Sequence, residues 1–305
     1  MNEFYKKQAE LLIKTVPVIA REEDLALQGG SAINLFIMDM PRLSVDIDLT
    51  YLPLESRETS LKKIKDNLER IKDNLLKIFS GIYITGPDEF ADEYKLICTQ
   101  KETKVKIEVN TIIRGSLEMP VNKTLCQAAQ NEFNLYAEIK TIPEGQLYGG
   151  KICAALDRQH PRDLFDIKHL FESKGIDAGI KRGFLFCLLS SKRPMHELID
   201  PVFSNQESVL ENAFKGMVRE PFTYADYEET RIELVNTIRS ILNEDDKRFL
   251  ISFKEGEPDW TIGSFHEFTD YPSVRWKLQN IITLKNSNPV KHQSQLNILK
   301  QILNL

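Results

Sequence analysis

Gly29-Gly30-Ser31-Ala32-Ile33-Asn34-Leu35, followed by Arg42-Leu43-Ser44-Val45-Asp46-Ile47-Asp48-Leu49, is the stretch whose reading decides the fold. Just before it, Leu25-Ala26-Leu27 reads as a short buried strand. Two consecutive glycines then let the backbone turn tightly and come close to a ligand. Ser31 suits the start of a helix over residues 32–38, whose unpaired N–H groups and dipole favour a phosphate at that end. Pro41 ends this element, and residues 44–50 read as a second strand because β-branched and apolar residues alternate with polar ones. Side chains two apart on a strand share a face, so Asp46 and Asp48 project side by side. Paired carboxylates repel unless a cation lies between them. Two hard oxygen donors suit Mg²⁺, which fills its shell with water and substrate phosphates. A lone Asp-x-Asp also fits an exposed hairpin; the glycine turn upstream and the apolar strand around the acids favour the cation site.

The chain of 305 residues is long enough for two domains. Its 42% apolar and 28% charged content is that of a globular protein. No apolar run is long enough to cross a bilayer, and Met1-Asn2-Glu3-Phe4-Tyr5-Lys6 lacks the layout of a signal peptide. Cys98, Cys126, Cys153 and Cys187 have neither zinc nor redox spacing, so buried thiols in a reducing cytoplasm are expected. A net charge of −5 argues against a protein that coats nucleic acid, although it leaves room for a local basic groove.

Residues 3–20 carry apolar positions at helical spacing. Leu61, Ile64, Leu68, Ile71, Leu75 and Ile78 recur in steps of three and four, and Ile-Lys-Asp-Asn-Leu occurs twice. Under three heptads is too short for a coiled coil, so this is a surface helix laying one stripe on a sheet. Residues 82–84, 94–99 and 105–113 are strand candidates. In the last, Val105, Ile107 and Val109 alternate with Lys106, Glu108 and Asn110, as in a half-buried strand. Beyond residue 135 the chain reads as mostly helical, with the turn Ile142-Pro143-Glu144-Gly145 marking a boundary between domains 1–145 and 146–305.

Lys151-Ile152-Cys153-Ala154-Ala155-Leu156-Asp157-Arg158-Gln159-His160-Pro161-Arg162-Asp163-Leu164-Phe165-Asp166 is the most distinctive later stretch. Its alanines favour helix, and Pro161 suits the first position of a new one, so two helices meet at Gln159-His160. Asp163 and Asp166 are expected in the first turn of the second helix, near its positive end. Residues 184–189 are apolar on all sides, as in a helix buried in a bundle. Residues 228–242 form an amphipathic helix stopped by Asn243-Glu244-Asp245-Asp246, and a last helix covers about 291–303. Trp260 and Trp276 read as packing anchors.

The Gly-Gly-Ser turn before an Asp-x-Asp strand resembles the signature of the DNA polymerase β-like nucleotidyltransferases. With Arg-Leu-Ser-Val-Asp-Ile-Asp-Leu, the lysine-bearing helix and the Arg-Asp-x-x-Asp helix, the chain resembles more narrowly the AbiEii/AbiGii-type nucleotidyltransferase toxins. The Gly-Glu-Pro-x-Trp loop and Pro-x-x-x-Trp-Lys helix near the end are also similar. The resemblance implies an α/β (α+β) fold: a nucleotidyltransferase core with a small mixed sheet flanked by helices, and a C-terminal helical bundle completing the cleft.

It also implies a Mg²⁺-dependent transfer of a nucleoside monophosphate from an NTP to an acceptor hydroxyl. Gly29, Gly30, Ser31, Arg42, Ser44, Lys151 and Arg162 would bind the nucleotide, and Asp46 and Asp48 the metal. Glu108 is the candidate third carboxylate, and Asp163 and Asp166 would wall the far side of the site. The implied acceptor is a tRNA 3′ end, and the implied partner a separately encoded antitoxin. Nucleotidylation of an aminoglycoside-like small molecule or of a protein is the alternative enzyme, and nucleotide binding without turnover the alternative class.

Overall fold

The computed structural model describes residues 1–87 and 93–305. The chain divides into two compact units, Met1–Leu147 with Glu211–Phe222, and Tyr148–Leu210 with Thr223–Leu305. Residues 211–222 therefore belong to the first unit, which a single cut at residue 145 does not provide for. Their place follows from backbone hydrogen bonding. The irregular stretch before the Asp-x-Asp strand needs partners for its N–H and C=O groups. Arg42 bridges Val218, Leu43 N donates to Met217 O at 2.8 Å, and Arg219 N donates to Pro41 O at 3.3 Å.

The first unit runs α1 (Glu3–Ile19), β1 (Leu25–Gln28), α2 (Gly29–Ala32, continuing as a π-helical turn over Ile33–Ile37), β2 (Asp46–Tyr51), α3 (Arg57–Ile78), β3 (Ile82–Thr85), β4 (Lys95–Gln100), β5 (Thr103–Asn110), β6 (Val121–Thr124), α4 (Gln127–Phe133), β7 (Glu138–Thr141) and the beginning of α5 (Glu144–Arg158). Among the described residues seven strands form one mixed sheet in the order β3-β4-β5-β2-β1-β7-β6. The β2–β5 and β1–β7 pairs are parallel and the other neighbours antiparallel. Ile47 and Leu49 of β2 and Val105, Ile107 and Val109 of β5 are buried, and Asp46, Asp48, Lys106 and Glu108 share the opposite face, where they are half-exposed. Ser56 caps α3 by accepting from Thr59 N at 3.1 Å, and Ile64, Leu68, Ile71 and Leu75 are its buried stripe.

Strands β6 and β7 lie outside the sequence expectations. Each has only four residues, and β6 is an edge strand with mostly exposed side chains. Neither is long enough to show a period. Their pairing with each other, and that of β7 with β1, determines that they are strands.

The second unit is helical: the rest of α5, α6 (Pro161–Ser173), α7 (Ala178–Ser190), α8 (Met195–Ile199), α9 (Glu207–Val209), α10 (Tyr224–Ile241), α11 (Glu244–Glu255), α12 (Pro272–Ser287) and α13 (Pro289–Leu303). Residues 183–190 of α7 are buried on every side. A Cβ on Gly149 of α5 would lie 2.1 Å from the Gly183 carbonyl carbon, so the two helices cross backbone against backbone. Asn243 does more than stop α10, because with Asp246 it forms the capping box that starts α11. Trp260 packs on Phe249 with ring centroids 5.3 Å apart. Trp276 is 42% exposed and is therefore not the packing anchor its size suggested. Cys98, Cys153 and Cys187 are buried free thiols, and Cys126 is half-buried.

Candidate active site

In the first unit the strand register assembles the acidic residues. Parallel pairing of β2 with β5 sets Asp46 opposite Lys106 and Asp48 opposite Glu108. Opposed residues lie on one face of the sheet, on strands about 4.8 Å apart. Glu108 thus stands beside Asp48 with Asp46 one row away. Lys106 Nζ lies 2.6 Å from Glu108 Oε2. Burial disfavours the Lys106 charge, but Glu108, Asp46 and Asp48 outweigh it and hold the ammonium above its ordinary range.

The glycine turn packs directly on this face. Gly29 has φ +73°, and a Cβ there would lie 2.5 Å from Asp48 Oδ2. A Cβ on Gly30 would lie 2.7 Å from Arg42 Nη2 and 3.3 Å from Ser44 Oγ. Ser31 is 1% exposed; its hydroxyl donates to the Asp46 carbonyl and lies 2.9 Å from Ser44 Oγ. Both serine hydroxyls and the 2%-exposed Arg42 are thus built into the wall behind the turn. For Ser31 the sequence reading expects phosphate contact through the backbone N–H, which the burial of its hydroxyl leaves in place. The turn's backbone N–H groups retain that possibility. Asn34 Nδ2 donates to Gly30 O at 3.0 Å and steadies the turn.

Among the described residues, no three His, Cys, Asp or Glu side chains already converge as a metal-binding group. The donor chemistry nevertheless fits a hard divalent cation, with two carboxylates side by side on β2 and a third in register on β5. Asp46 and Asp48 would hold it.

In the second unit α5 and α6 meet as the proline predicts: His160 caps α6, its Nδ1 accepting from Arg162 N at 3.1 Å. Gln159 adopts φ +49° at the corner. Lys151 Nζ lies 2.9 Å from Asp163 Oδ1 and 2.8 Å from Asp166 Oδ2. Arg158 meets Asp163 with both ends of its fork, Nε at 2.5 Å from Oδ2 and Nη2 at 3.0 Å from Oδ1. Burial alone would raise the Asp163 pKa, but the Lys151 charge and the Arg158 fork hold it well below the usual carboxylate range. Gln159 in turn accepts from Arg231 Nη1 at 3.0 Å, and its carbonyl accepts from Tyr227 OH at 2.8 Å. The two aspartates therefore serve as the counter-charges of Lys151.

Residues 11–280, which include both constellations, match the family model described as nucleotidyl transferase AbiEii toxin, type IV toxin–antitoxin system. The chain belongs to the AbiEii nucleotidyltransferase toxin family. It is thereby an enzyme of the nucleotidyltransferase class and a toxin of the type IV kind. No curated protein matches it. Among solved structures it is similar to MenT4, a nucleotidyltransferase toxin from Mycobacterium tuberculosis H37Rv, at a TM-score of 0.59 and 12% identity over 92% of each chain. At that identity the likeness concerns the fold. The family match ends within α12. No helix among the described residues is long and apolar enough to span a membrane.

Lys106 and Asn34 of this AbiEii-family chain escaped the sequence reading as candidates, and Arg158 was a weaker one. Lys106 was legible in principle, since it lies two before Glu108 on an alternating strand and so shares its face. Asn34 reaches the carbonyl four residues back, a helical spacing that was equally legible, whereas the Arg158 fork meets Asp163 across the corner between α5 and α6.

Proposed function

We propose that this AbiEii-family enzyme transfers a nucleoside monophosphate from an NTP to the 3′ hydroxyl of a tRNA, using Mg²⁺ held by Asp46 and Asp48. The observation that carries the reading is the packing of Asp48 against Gly29, with Glu108 in register beside it. Bound there, a divalent cation would neutralise charge on the transferred α-phosphate. The bond formed joins the acceptor oxygen to the α-phosphorus, and the bond broken releases pyrophosphate. Main-chain N–H groups at Gly29, Gly30 and Ser31 would face the phosphates, while the missing Cβ atoms of the two glycines make room for Asp48 and Arg42 against the turn. Glu108 would take the proton of the attacking hydroxyl. A nucleotide-binding role for Lys151 and Arg162, with Asp163 and Asp166 holding Lys151 in place, is carried by the family resemblance. The tRNA acceptor, the action in the cytoplasm and a separately encoded antitoxin are carried by the family resemblance.

The test uses purified protein, Mg²⁺, each α-labelled NTP in turn and total bacterial tRNA, with Asp46→Asn and Asp48→Asn beside the wild type. Label should pass to tRNA from one NTP and be lost in both variants, with circular dichroism unchanged. Label found instead on a protein or a small molecule would replace the acceptor.

A further inference from the structure

We propose that Lys106 is a built-in counter-cation of the acidic face and competes with the divalent metal for Glu108. The inference rests on the reading of Asp46, Asp48 and Glu108 as metal-binding carboxylates. Four charges form a block two residues long on two strands: Asp46 opposite Lys106 and Asp48 opposite Glu108. Three acids and one base leave a net negative block, and like charges directly opposed across strands destabilise a sheet. An ammonium on the same face is the local remedy. Its Nζ is 2.6 Å from Glu108 Oε2, within normal ion-pair distance.

The lysine that faces Glu108 from its other neighbouring strand is not placed for this role. Lys95 opposes Glu108 from β4, but its Nζ pairs with Glu93 at 3.2 Å. The side chains of Lys106 and Glu108 are 35% and 47% exposed, and an ion pair that open to water is weak and exchangeable. Glu108 is thus engaged by the ammonium while no three carboxylates are gathered as a metal group among the described residues. For Glu108 to join a metal site, it has to exchange Lys106 for the metal. Lys106 therefore keeps the face intact without metal and raises the metal concentration that the site requires.

The experiment measures binding of Mn²⁺ alone to the full chain, by electron paramagnetic resonance of free Mn²⁺. It compares wild type, Lys106→Met, Lys106→Arg, Glu108→Gln, Asp48→Asn and the Lys106→Met/Glu108→Gln pair. Lys106→Met should bind Mn²⁺ about tenfold tighter than wild type, a gain that falls to about threefold or less when Glu108 is already Gln. Lys106→Arg should restore wild-type binding. Without metal, thermal unfolding should fall slightly in Lys106→Met, which leaves the acids unneutralised, and be unchanged in Lys106→Arg, since the pair is partly exposed. Equal binding by wild type and Lys106→Met would overturn the proposal, as would a gain of the same size in both backgrounds. If Glu108→Gln and Asp48→Asn bind Mn²⁺ as wild type does, the metal-site reading itself fails, and this is seen without reference to Lys106.

Discussion

Gly29 and Asp48 occupy space that only a glycine leaves open: a Cβ at Gly29 would sit 2.5 Å from Asp48 Oδ2 and 3.1 Å from its Cβ. Gly29 also has φ +73°, where an L side chain costs about 1–2 kcal/mol. Gly29→Ala must therefore displace the turn or the Asp48 carboxylate. Nucleotidyl transfer should fall roughly 100-fold, the usual penalty for a catalytic group misplaced by about 1 Å. The melting temperature should fall only modestly. A variant with wild-type turnover would show that the Asp48 position is not needed.

Lys151 is 6% exposed and neutralises two carboxylates that are themselves almost fully buried. Lys151→Met leaves Asp163 and Asp166 in the interior without the ammonium that lies between them. Loss of stability of about 3–5 kcal/mol is expected in urea unfolding. Adding Asp166→Asn should recover part of that loss. If the double variant is stable but inactive, Lys151 acts on substrate as well as on the fold.

Asp163 links stability to acid. Its folded pKa lies below the unfolded value of about 3.9, so the stability it contributes is fully present above that pH. That stability is lost as the pH falls through the folded pKa. The stability difference between wild type and Asp163→Asn should therefore be largest at neutral pH and shrink below about pH 4. Urea titrations at stepped pH would measure it, and a constant difference down to pH 2 would refute the linkage.

Lys277 holds the end of α7. Its Nζ donates to the carbonyls of Leu188 at 2.9 Å, Ser191 at 3.0 Å and Arg193 at 2.7 Å. These acceptors lie where a helix runs out of N–H partners. Lys277→Met should cost about 1–3 kcal/mol, because these three carbonyls lose their shared donor. The variant's unfolding midpoint checks this directly.

Much of the site was legible locally. The Gly-Gly turn, the alternation around Asp46 and Asp48 and that around Glu108 each show within a few residues. Pro161 marked where α6 begins, and the surroundings of Lys151 pointed to two charged helices. Spacing could not show that the Ser31 and Ser44 hydroxyls face inward. That depends on the Asp46 carbonyl, fifteen residues from Ser31 in the chain, coming within reach. By itself the sequence determined which residues alternate, which helices start where and which family the chain resembles, because periods and caps are short-range. Tertiary structure alone decided that Glu108 stands opposite Asp48, that Lys106 holds Glu108, that β6 and β7 are strands and that residues 211–222 return to the first unit. Each of these depends on pairing between distant segments, and register is set by how whole faces are buried together.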